Sequence, residues 1–282
     1  MKAHTRPRRL PRLLVAALVA ASATIVAAVA IAADPQPAIQ TSTPNSADQI
    51  TNIDVLRQQI RNYYGDPLGT GTFGNDSNYA NEASSVAAAG SRWLQARAKA
   101  VRAQKAIVLD VDDTTLATWN YEIFSNWAFN PATNATFVLE QRFPAVPGMV
   151  QMVSDAVGEG YAIFFLTGRP ATQEAATLGN LTSDGSGVDA GYPTPTTLSN
   201  GEDGLFTKPA VADYPDYLKT ACADEIAAGK SCTTIHYKSA TRAHIESLGY
   251  EIVGNFGDQF SDLEGGHADR TFKLPNPNYF LP

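Results

Sequence analysis

From Lys105 onwards the chain alternates between short apolar runs and segments with helical periodicity. Four runs are predicted strands: AIVL at 106–109, YAIFFL at 161–166, TTIHY at 233–237 and YEIVGNF at 250–256. Helices are predicted around 148–158, 171–181, 213–228 and 239–248. Because strands that alternate with helices build a mainly parallel sheet flanked by helices, the pattern predicts an α/β fold.

Three further segments precede this alternation. Residues 1–33 have the pattern of an export signal, with a basic start, a long apolar run and small residues at its end. The apolar run is long enough to cross a bilayer, so a retained anchor is the alternative to a cleaved signal. Residues 34–48 are rich in Pro, Ser and Thr and are predicted to be a linker. The remaining residues, 49–282, are expected to form one secreted domain, either extracellular or periplasmic.

The first part of this domain, 49–104, is predicted to be helical. One helix is predicted from apolar residues at helical spacing, Ile50, Ile53, Leu56 and Ile60, and a second, longer one over 79–104. Between them the segment GTGTFG has the glycine spacing of a dinucleotide-binding loop. No apolar strand precedes it, so a surface turn is the better interpretation.

Charge and cysteine content limit the partners and the compartment. The formal net charge is −7, and residues 1–33 contain five basic residues and no acidic one, so removing them leaves −12. A chain this acidic is a poor ligand for nucleic acid or an anionic membrane, and a small-molecule substrate is expected instead. In an exported protein, Cys222 and Cys232 are predicted to form a disulfide; two buried thiols are the alternative.

In a parallel sheet, ligands bind beyond the carboxyl ends of the strands, so the residues after each run are candidates for function. The first run is followed by DVDDTT, with Asp110 at the strand end and Asp112 two residues later. Carboxylates this close repel one another, and a divalent cation or several hydrogen-bond donors must offset the repulsion. Asp113 is predicted to shape the turn that follows.

The other strand ends supply complementary groups. Thr167 and Gly168 follow the second run, where a hydroxyl and exposed backbone N–H groups can hold phosphate oxygens. Lys238 follows the third run, and Asp258 and Asp262 follow the fourth. Any one of these side chains could be a solvated strand end or a helix cap. Their occurrence after four successive runs predicts a common site.

The segments DVDDT, LTGR, the lysine of YKSATR and GDQFSD resemble the four motifs of the haloacid dehalogenase (HAD) superfamily of phosphotransferases. More closely, YKSATRAHIESLGYEIVGNFGDQFSDLEGG and the ending RTFKLPNPNYF resemble the subfamily IIIB secreted acid phosphatases, which are related to plant vegetative storage proteins and class B bacterial acid phosphatases. The resemblance runs from about Lys105 to the C-terminus. It implies a Rossmann-like sheet without a large cap domain, preceded here by extra helices.

The resemblance also implies a role for each motif residue. Asp110 would be the nucleophile that forms an aspartyl-phosphate. Asp112 would protonate the leaving alcohol and then deprotonate the attacking water. Thr167, Gly168 and Lys238 would bind the phosphoryl group and stabilise its charge.

The implied cofactor is Mg²⁺, which favours a few oxygen ligands and retains several waters. Its protein ligands would be the Asp110 carboxylate, the Asp112 backbone carbonyl and the Asp258 carboxylate. Asp262 would lie further out and orient water or Lys238. The metal and the lysine would make the site attractive to phosphate despite the acidic chain.

The function expected from this resemblance is that of a secreted, Mg²⁺-dependent acid phosphatase acting on phosphomonoesters. Two alternatives are a non-catalytic storage or binding protein of the same fold and a transferase that moves phosphoryl groups to alcohols. Because Asp110 and Asp112 are both intact, an enzyme is favoured. The aromatic stretch 119–129 is either a small packed core or a platform for an aromatic leaving group.

Overall fold

The computed structural model describes residues 43–101 and 103–281. The signal predicted at 1–33 and most of the linker lie outside the described residues. The helices are α1 (Ile53–Tyr63), α2 (Asn78–Arg97), α3 (Trp119–Ser125), α4 (Pro131–Leu139), α5 (Met149–Gly158), α6 (Glu174–Leu181), α7 (Asp216–Ala221), α8 (Ala223–Ala227), α9 (Thr234–Ser247) and α10 (Phe260–Leu263). The strands are β1 (Gln104–Leu109), β2 (Ala162–Pro170), β3 (Leu205–Lys208), β4 (Tyr250–Gly257) and β5 (Thr271–Lys273).

The five strands form one parallel sheet in the order β3-β2-β1-β4-β5. This confirms the predicted α/β fold. The central strand, β1, pairs Leu109 with Phe165 of β2 and with Phe256 of β4. The carboxyl ends of the three middle strands therefore finish side by side, and the loops that follow them share one edge of the sheet.

Helices cover both faces of the sheet. On one face α2 and α5 lie over a core that includes Ile107, Ile163 and Val253. Residues of α3 and α4, such as Tyr121 and Phe137, belong to this same core. The long segment between β1 and β2 therefore packs onto the sheet, in agreement with the expected absence of a large cap domain.

On the other face, α7 and α9 cover Val108 and Phe164 of the sheet. Cys222 and Cys232 are buried there and form the predicted disulfide. It joins the end of α7 to the segment immediately before α9. Among the described residues, none of the helices combines the length and the hydropathy needed to span a bilayer.

The prediction of a strand at 233–237 is wrong, because these residues form the cap and the first turn of α9. The Thr233 side chain accepts a hydrogen bond from the His236 backbone N–H and caps the helix. The buried residues Tyr237, Thr241 and Ile245 then recur at helical spacing. The β-branched start of this segment imitated a strand, but the longer period of its buried side chains is that of a helix.

The strand that lies beside β2 at this edge of the sheet is β3, which was not predicted. It has four residues and follows the polar turn NGEDG, so its sequence carries little periodic signal. The edge strand β5 was missed for the same reason, since it has three residues. Both pair in parallel with longer strands, β2 and β4, which supply the pairing that their own sequences do not indicate.

The N-terminal region is helical, as predicted, with different bounds. The helix predicted at 79–104 ends at Arg97. In α1, Ile53 and Leu56 are 59% and 43% exposed, so the predicted apolar face is covered only in part. Its last turn leads into a small aromatic core, in which Tyr64 stacks between Tyr79 and Trp119.

Candidate active site

Asp110 lies at the carboxyl end of β1, where the middle of the sheet stops. Its backbone N–H donates to the Phe256 carbonyl at 2.9 Å, so the pairing with β4 continues up to this residue. The Thr115 hydroxyl donates to the Asp110 carbonyl at 3.1 Å. These contacts fix the backbone, and the Asp110 side chain is 8% exposed.

Lys238 forms an ion pair with Asp110, although it reaches the site from a different element than predicted. It lies in the first part of α9, and its ammonium group bonds Asp110 Oδ1 and, at 2.6 Å, Asp262 Oδ1. Burial alone would lower the pKa of Lys238, but the charges of Asp110 and Asp262 outweigh that effect and hold the pKa above its ordinary value. The lysine is therefore a fixed positive charge between two carboxylates.

Asp258 directly follows β4, and Asp262 lies in the short helix α10. A Cβ atom at Gly257 would come within 2.4 Å of the Asp262 Cβ, so this close approach requires glycine. Asp258 Oδ1 accepts from the Thr114 hydroxyl at 3.1 Å. Asp262 Oδ2 accepts from the Gln259 backbone N–H at 2.9 Å, while its other oxygen is held by the lysine.

Three of these carboxylates form a buried cluster that fits a divalent cation. Oxygens of Asp110, Asp258 and Asp262 lie within 4.8 Å of one another. Burial, and then the charge of Asp262, raise the pKa of Asp110 well above its usual range and that of Asp258 to about 7. Three acidic side chains meet here and Lys238 contacts two of them, so the cluster offers oxygen ligands of the kind that hard cations prefer.

The two oxygens of Asp262 already accept from Lys238 and from a backbone N–H, whereas Asp110 Oδ2 has no protein donor among the described residues. Asp110 Oδ2 is therefore well placed for a ligand, whereas both oxygens of Asp258, like those of Asp262, accept hydrogen bonds from the protein. Asp262 fits the role of orienting Lys238 that was expected for it. The ligand set predicted from the motifs, Asp110, Asp258 and the Asp112 backbone carbonyl, stays a prediction.

Asp112 lies in a more open part of the site and pairs with Arg169. The Arg169 Nη2 donates to Asp112 Oδ1 at 2.7 Å, and its Nε donates to Oδ2 at 3.0 Å, so the contact is bidentate. The guanidinium is itself held by Nη1, which donates to the Thr177 hydroxyl at 3.0 Å. The Asp112 side chain is 30% exposed, against 4% for Arg169.

Thr167 and Gly168 lie at the end of β2, beside Asp110. The Thr167 hydroxyl accepts from the Arg169 backbone N–H at 3.1 Å and is almost fully buried. Gly168 is exposed, and a Cβ atom built on it would meet no atom within 4 Å. The backbone at this position therefore faces open space next to the nucleophile candidate.

Asp113 shapes the loop between β1 and α3, in agreement with the prediction. Its backbone is left-handed, with φ of 54°, which aspartate tolerates better than most residues. Its carboxylate accepts from the Thr118 backbone N–H at 2.8 Å and from the Thr118 hydroxyl at 2.6 Å. Burial raises the pKa of Asp113 to about 7.

The aromatic stretch 119–129 divides between the two interpretations. Trp119 and Tyr121 are buried, and the Trp119 indole donates to Asp66 at 3.0 Å, so both have a packing role. Phe124 and Phe129 are 60% and 70% exposed. A platform for a leaving group would therefore have to use these two rings.

Sequence reasoning missed the groups that hold the site residues in place. Arg169 was visible in the LTGR motif, but its pairing with Asp112 spans 57 residues. Arg242, in the YKSATR motif, is buried and donates to the carbonyls of Asp262, Glu264 and Gly266, fixing the turn after β4. The motif segments contain both arginines, but local sequence does not indicate their partners.

Cavities in the described part of the chain do not all coincide with this site. A groove of about 600 Å³ lies on the outer side of α7 and α9 and contains none of the predicted site residues. A cavity of about 400 Å³ is lined by Asp258 and by the C-terminal segment. The second cavity is the one that touches the carboxylate cluster.

Residues 31–282 match the model of a protein family described as HAD superfamily, subfamily IIIB (acid phosphatase). A soybean (Glycine max) stem 28 kDa glycoprotein is 30% identical over 194 residues, which cover 67% of this chain and 65% of that protein. Acid phosphatase 1 of tomato (Solanum lycopersicum) is 28% identical over 183 residues, which cover 62% of this chain and 58% of that protein. The chain thus spans less than two thirds of either relative's length.

A solved structure with a similar fold is the class C acid phosphatase from Bacillus anthracis. The TM-score is 0.54, the sequence identity is 19%, and the alignment covers 80% of this chain and 86% of that chain. At this identity the likeness is one of fold. It agrees with the parallel sheet described above.

Proposed function

We propose that the chain hydrolyses phosphomonoesters through an aspartyl-phosphate on Asp110, because it belongs to subfamily IIIB of the HAD superfamily, whose members are acid phosphatases. The observation that carries the proposal is the position of Lys238, which joins Asp110 to Asp262 inside the carboxylate cluster. A buried lysine next to a strand-end aspartate both fixes the nucleophile and attracts a phosphoryl group.

The first chemical step is transfer of the phosphoryl group to the protein. An Asp110 oxygen bonds to phosphorus while the bond between phosphorus and the ester oxygen breaks. Asp112 gives its proton to that ester oxygen, so the product leaves as a neutral alcohol. The Thr167 hydroxyl and the Gly168 backbone N–H would bind phosphoryl oxygens, and Lys238 would stabilise their charge.

The second step releases phosphate. Asp112, now ionised, takes a proton from a water molecule whose oxygen attacks phosphorus, and the bond to Asp110 breaks. The bidentate contact with Arg169 would keep the Asp112 carboxylate aimed at the same place in both steps. The partial exposure of Asp112 supports this role, because water and the leaving alcohol must both reach it.

The residues that would hold Mg²⁺ are Asp110, Asp258 and the backbone carbonyl of Asp112, and the ion would supply positive charge against the phosphoryl oxygens. The oxygen-only donor set of the cluster supports this choice of metal. The domain assignment, with a signal at 1–33 and one phosphatase domain over 49–282, is part of the same proposal. The disulfide and the plant glycoprotein relatives support secretion.

The test is hydrolysis of an aryl phosphate by the purified protein, with Mg²⁺ and after its removal by a chelator. We expect metal-dependent release of phosphate and a loss of more than about 10³-fold in Asp110→Asn. Asp216→Asn, at a fully exposed aspartate on α7, is the matched control and should keep full activity. Activity that persists in Asp110→Asn would overturn the nucleophile assignment.

The same assay separates the alternatives. If a folded, metal-loaded protein releases no phosphate from any of a panel of nucleotides, sugar phosphates and phytate, a storage or binding role is favoured. If an added alcohol becomes phosphorylated, the protein is a transferase that uses the same nucleophile. Hydrolysis without transfer supports the proposal.

A further inference from the structure

The C-terminal segment of the chain passes directly over Asp258. The Leu274 backbone N–H donates to the Gly257 carbonyl at 2.8 Å, so the chain leaves the sheet beside the end of β4. Residues 274–281, which we call the C-terminal brace, then cross the carboxylate cluster. None of the roles proposed above uses a residue of this brace.

Within the brace, the Asn276 amide contacts Asp258 in a defined orientation. Its Nδ2 donates to Asp258 Oδ2 at 2.7 Å and lies 3.5 Å from Asp113 Oδ2. Its Oδ1 accepts from the Asn278 backbone N–H at 2.8 Å. Because the amide oxygen is bound to a backbone donor, the NH₂ group must face the carboxylates.

The brace is anchored on both sides of Asn276. The Asn278 side chain donates to the Tyr64 hydroxyl at 2.9 Å and accepts from the Trp127 indole at 3.3 Å. Further along, the Leu281 backbone N–H donates to Gln259 Oε1 at 3.1 Å, while Gln259 Nε2 donates to Asp258 Oδ2 at 2.7 Å. Two amides, both fixed by the brace, thus converge on the same oxygen of Asp258.

Hydrogen bonds on both oxygens hold this carboxylate, which is almost fully buried. A cavity of about 400 Å³ lies beside it and is also lined by Asn276 and Gln259. With Oδ2 occupied by two amide donors, Oδ1 is the oxygen that faces the Thr114 hydroxyl. Loss of one amide would remove one of the two side-chain donors that fix the orientation of the carboxylate.

We infer that Asn276 is a positioning residue for the divalent metal: it holds Asp258 in the orientation that binds the ion, so metal affinity depends on the Asn276 amide. This inference rests on the metal site of the proposed function. Groups that orient a metal ligand typically change metal affinity 10–100-fold when they are removed. The brace would therefore couple the C-terminus and the N-terminal helices to the metal site.

The experiment measures Mn²⁺ binding to the metal-free protein by the electron paramagnetic resonance signal of free Mn²⁺, without substrate. Asn276→Leu removes the amide donor but keeps the side-chain volume. Asn276→Ala removes the amide donor and most of the side-chain volume. We expect the dissociation constant to rise by about 10–100-fold in each variant. Asn200→Ala, at an exposed asparagine in a distant turn, is the matched control and should bind as tightly as the unsubstituted protein.

Thermal unfolding of the metal-free variants shows whether the fold is kept. If Asn276→Leu is folded and binds Mn²⁺ within about twofold of the unsubstituted protein, the inference is overturned and the proposed function stands. If the unsubstituted protein itself binds no divalent metal, the inference and the metal-dependent function proposed above both fail. Should both Asn276 variants unfold, Asn278→Ala, which loosens the brace but keeps the amide, must weaken binding or the inference is rejected.

Discussion

Asp110 and Asp112 are two residues apart on one loop, yet their surroundings differ in burial and in the kind of partner. Around Asp110 the site is closed: a lysine from α9 bonds both Asp110 and Asp262, and the side chains involved are 8% exposed or less. Around Asp112 it is open: the side chain is 30% exposed and pairs with Arg169 through a bidentate contact.

This difference shows how one loop can support two kinds of chemistry. A nucleophile must be held in one place, and the buried ion pair between Asp110 Oδ1 and Lys238 restrains the carboxylate because breaking it would leave a buried charge without its partner. A proton donor must meet both an alcohol and water, and a partly exposed carboxylate can do so. The closed half therefore fixes the position of the Asp110 carboxylate, and the open half lets water and the leaving alcohol reach Asp112.

The closed half should depend strongly on its lysine. Replacing Lys238 by Met leaves Asp110 and Asp262 buried without their cation, so we expect the free energy of unfolding to fall by about 3–5 kcal/mol near pH 7. The loss should shrink at pH 5, because a buried carboxylate without a cation can take a proton. Urea unfolding of the metal-free protein at both pH values measures this.

The control for that variant is Lys208→Met. Lys208 is also partly buried, but its ammonium donates to the Cys232 carbonyl at 2.7 Å rather than to an acid. We expect a loss of about 1 kcal/mol with little dependence on pH. Equal losses of unfolding free energy in the two variants would show that Lys238 stabilises the closed half no more than Lys208 stabilises its own surroundings.

The open half should respond in catalysis rather than in stability. Arg169→Lys keeps the charge but loses the planar fork that aligns Asp112. If Asp112 protonates the leaving group, kcat should fall by about 30-fold for an alkyl phosphate and by less than about 3-fold for an aryl phosphate with an acidic leaving group. Steady-state kinetics with the two substrates gives the ratio.

Arg142→Lys is the control for this change, because Arg142 is exposed and pairs with Glu140 on the surface. It should leave both substrates unaffected. An equal fall for the alkyl and aryl substrates in Arg169→Lys would contradict a role for Arg169 through the proton donor. It would point instead to a general effect on the site.

The parts of the site that the sequence predicts are those set by local pattern. Asp110 and Asp258 each follow a strand, Thr167 lies in the last part of β2, and the parallel register brings these strand ends together. Lys238 was expected in the site for the right reason, its charge, but on the wrong element. The run TTIHY is short, and an apolar run of that length does not distinguish a strand from the start of a helix.

The contacts that hold the site are long-range and could not be predicted from the pattern. Arg169 and Asp112 are 57 residues apart, and Asn276 and Asp258 are 18 apart. Whether such groups meet depends on the path of the loops between them, which apolar periodicity does not encode. The short strands β3 and β5 were missed because neighbouring strands, rather than their own residues, determine their pairing.

Glu122 lies on α3, behind the loop that follows β1, and its side chain is buried. Replacing it is expected to have the smallest effect of the substitutions considered. Burial raises the pKa of Glu122 to about 7. A carboxyl group whose pKa is higher in the folded than in the unfolded chain binds more protons when folded, so stability falls as the pH rises from about 4 to 7. Ionising Glu122 near neutral pH therefore costs stability, and Gln, which mimics its protonated form, should remove that cost.

We expect Glu122→Gln to raise the free energy of unfolding by about 1–2 kcal/mol at pH 7.5 and by less at pH 5. Glu140→Gln, at an exposed glutamate, should change little at either pH. Denaturant unfolding across this range decides the matter. A gain that is the same at both pH values would mean that Glu122 is already neutral or already solvated throughout, and the closed region would then end at the loop itself.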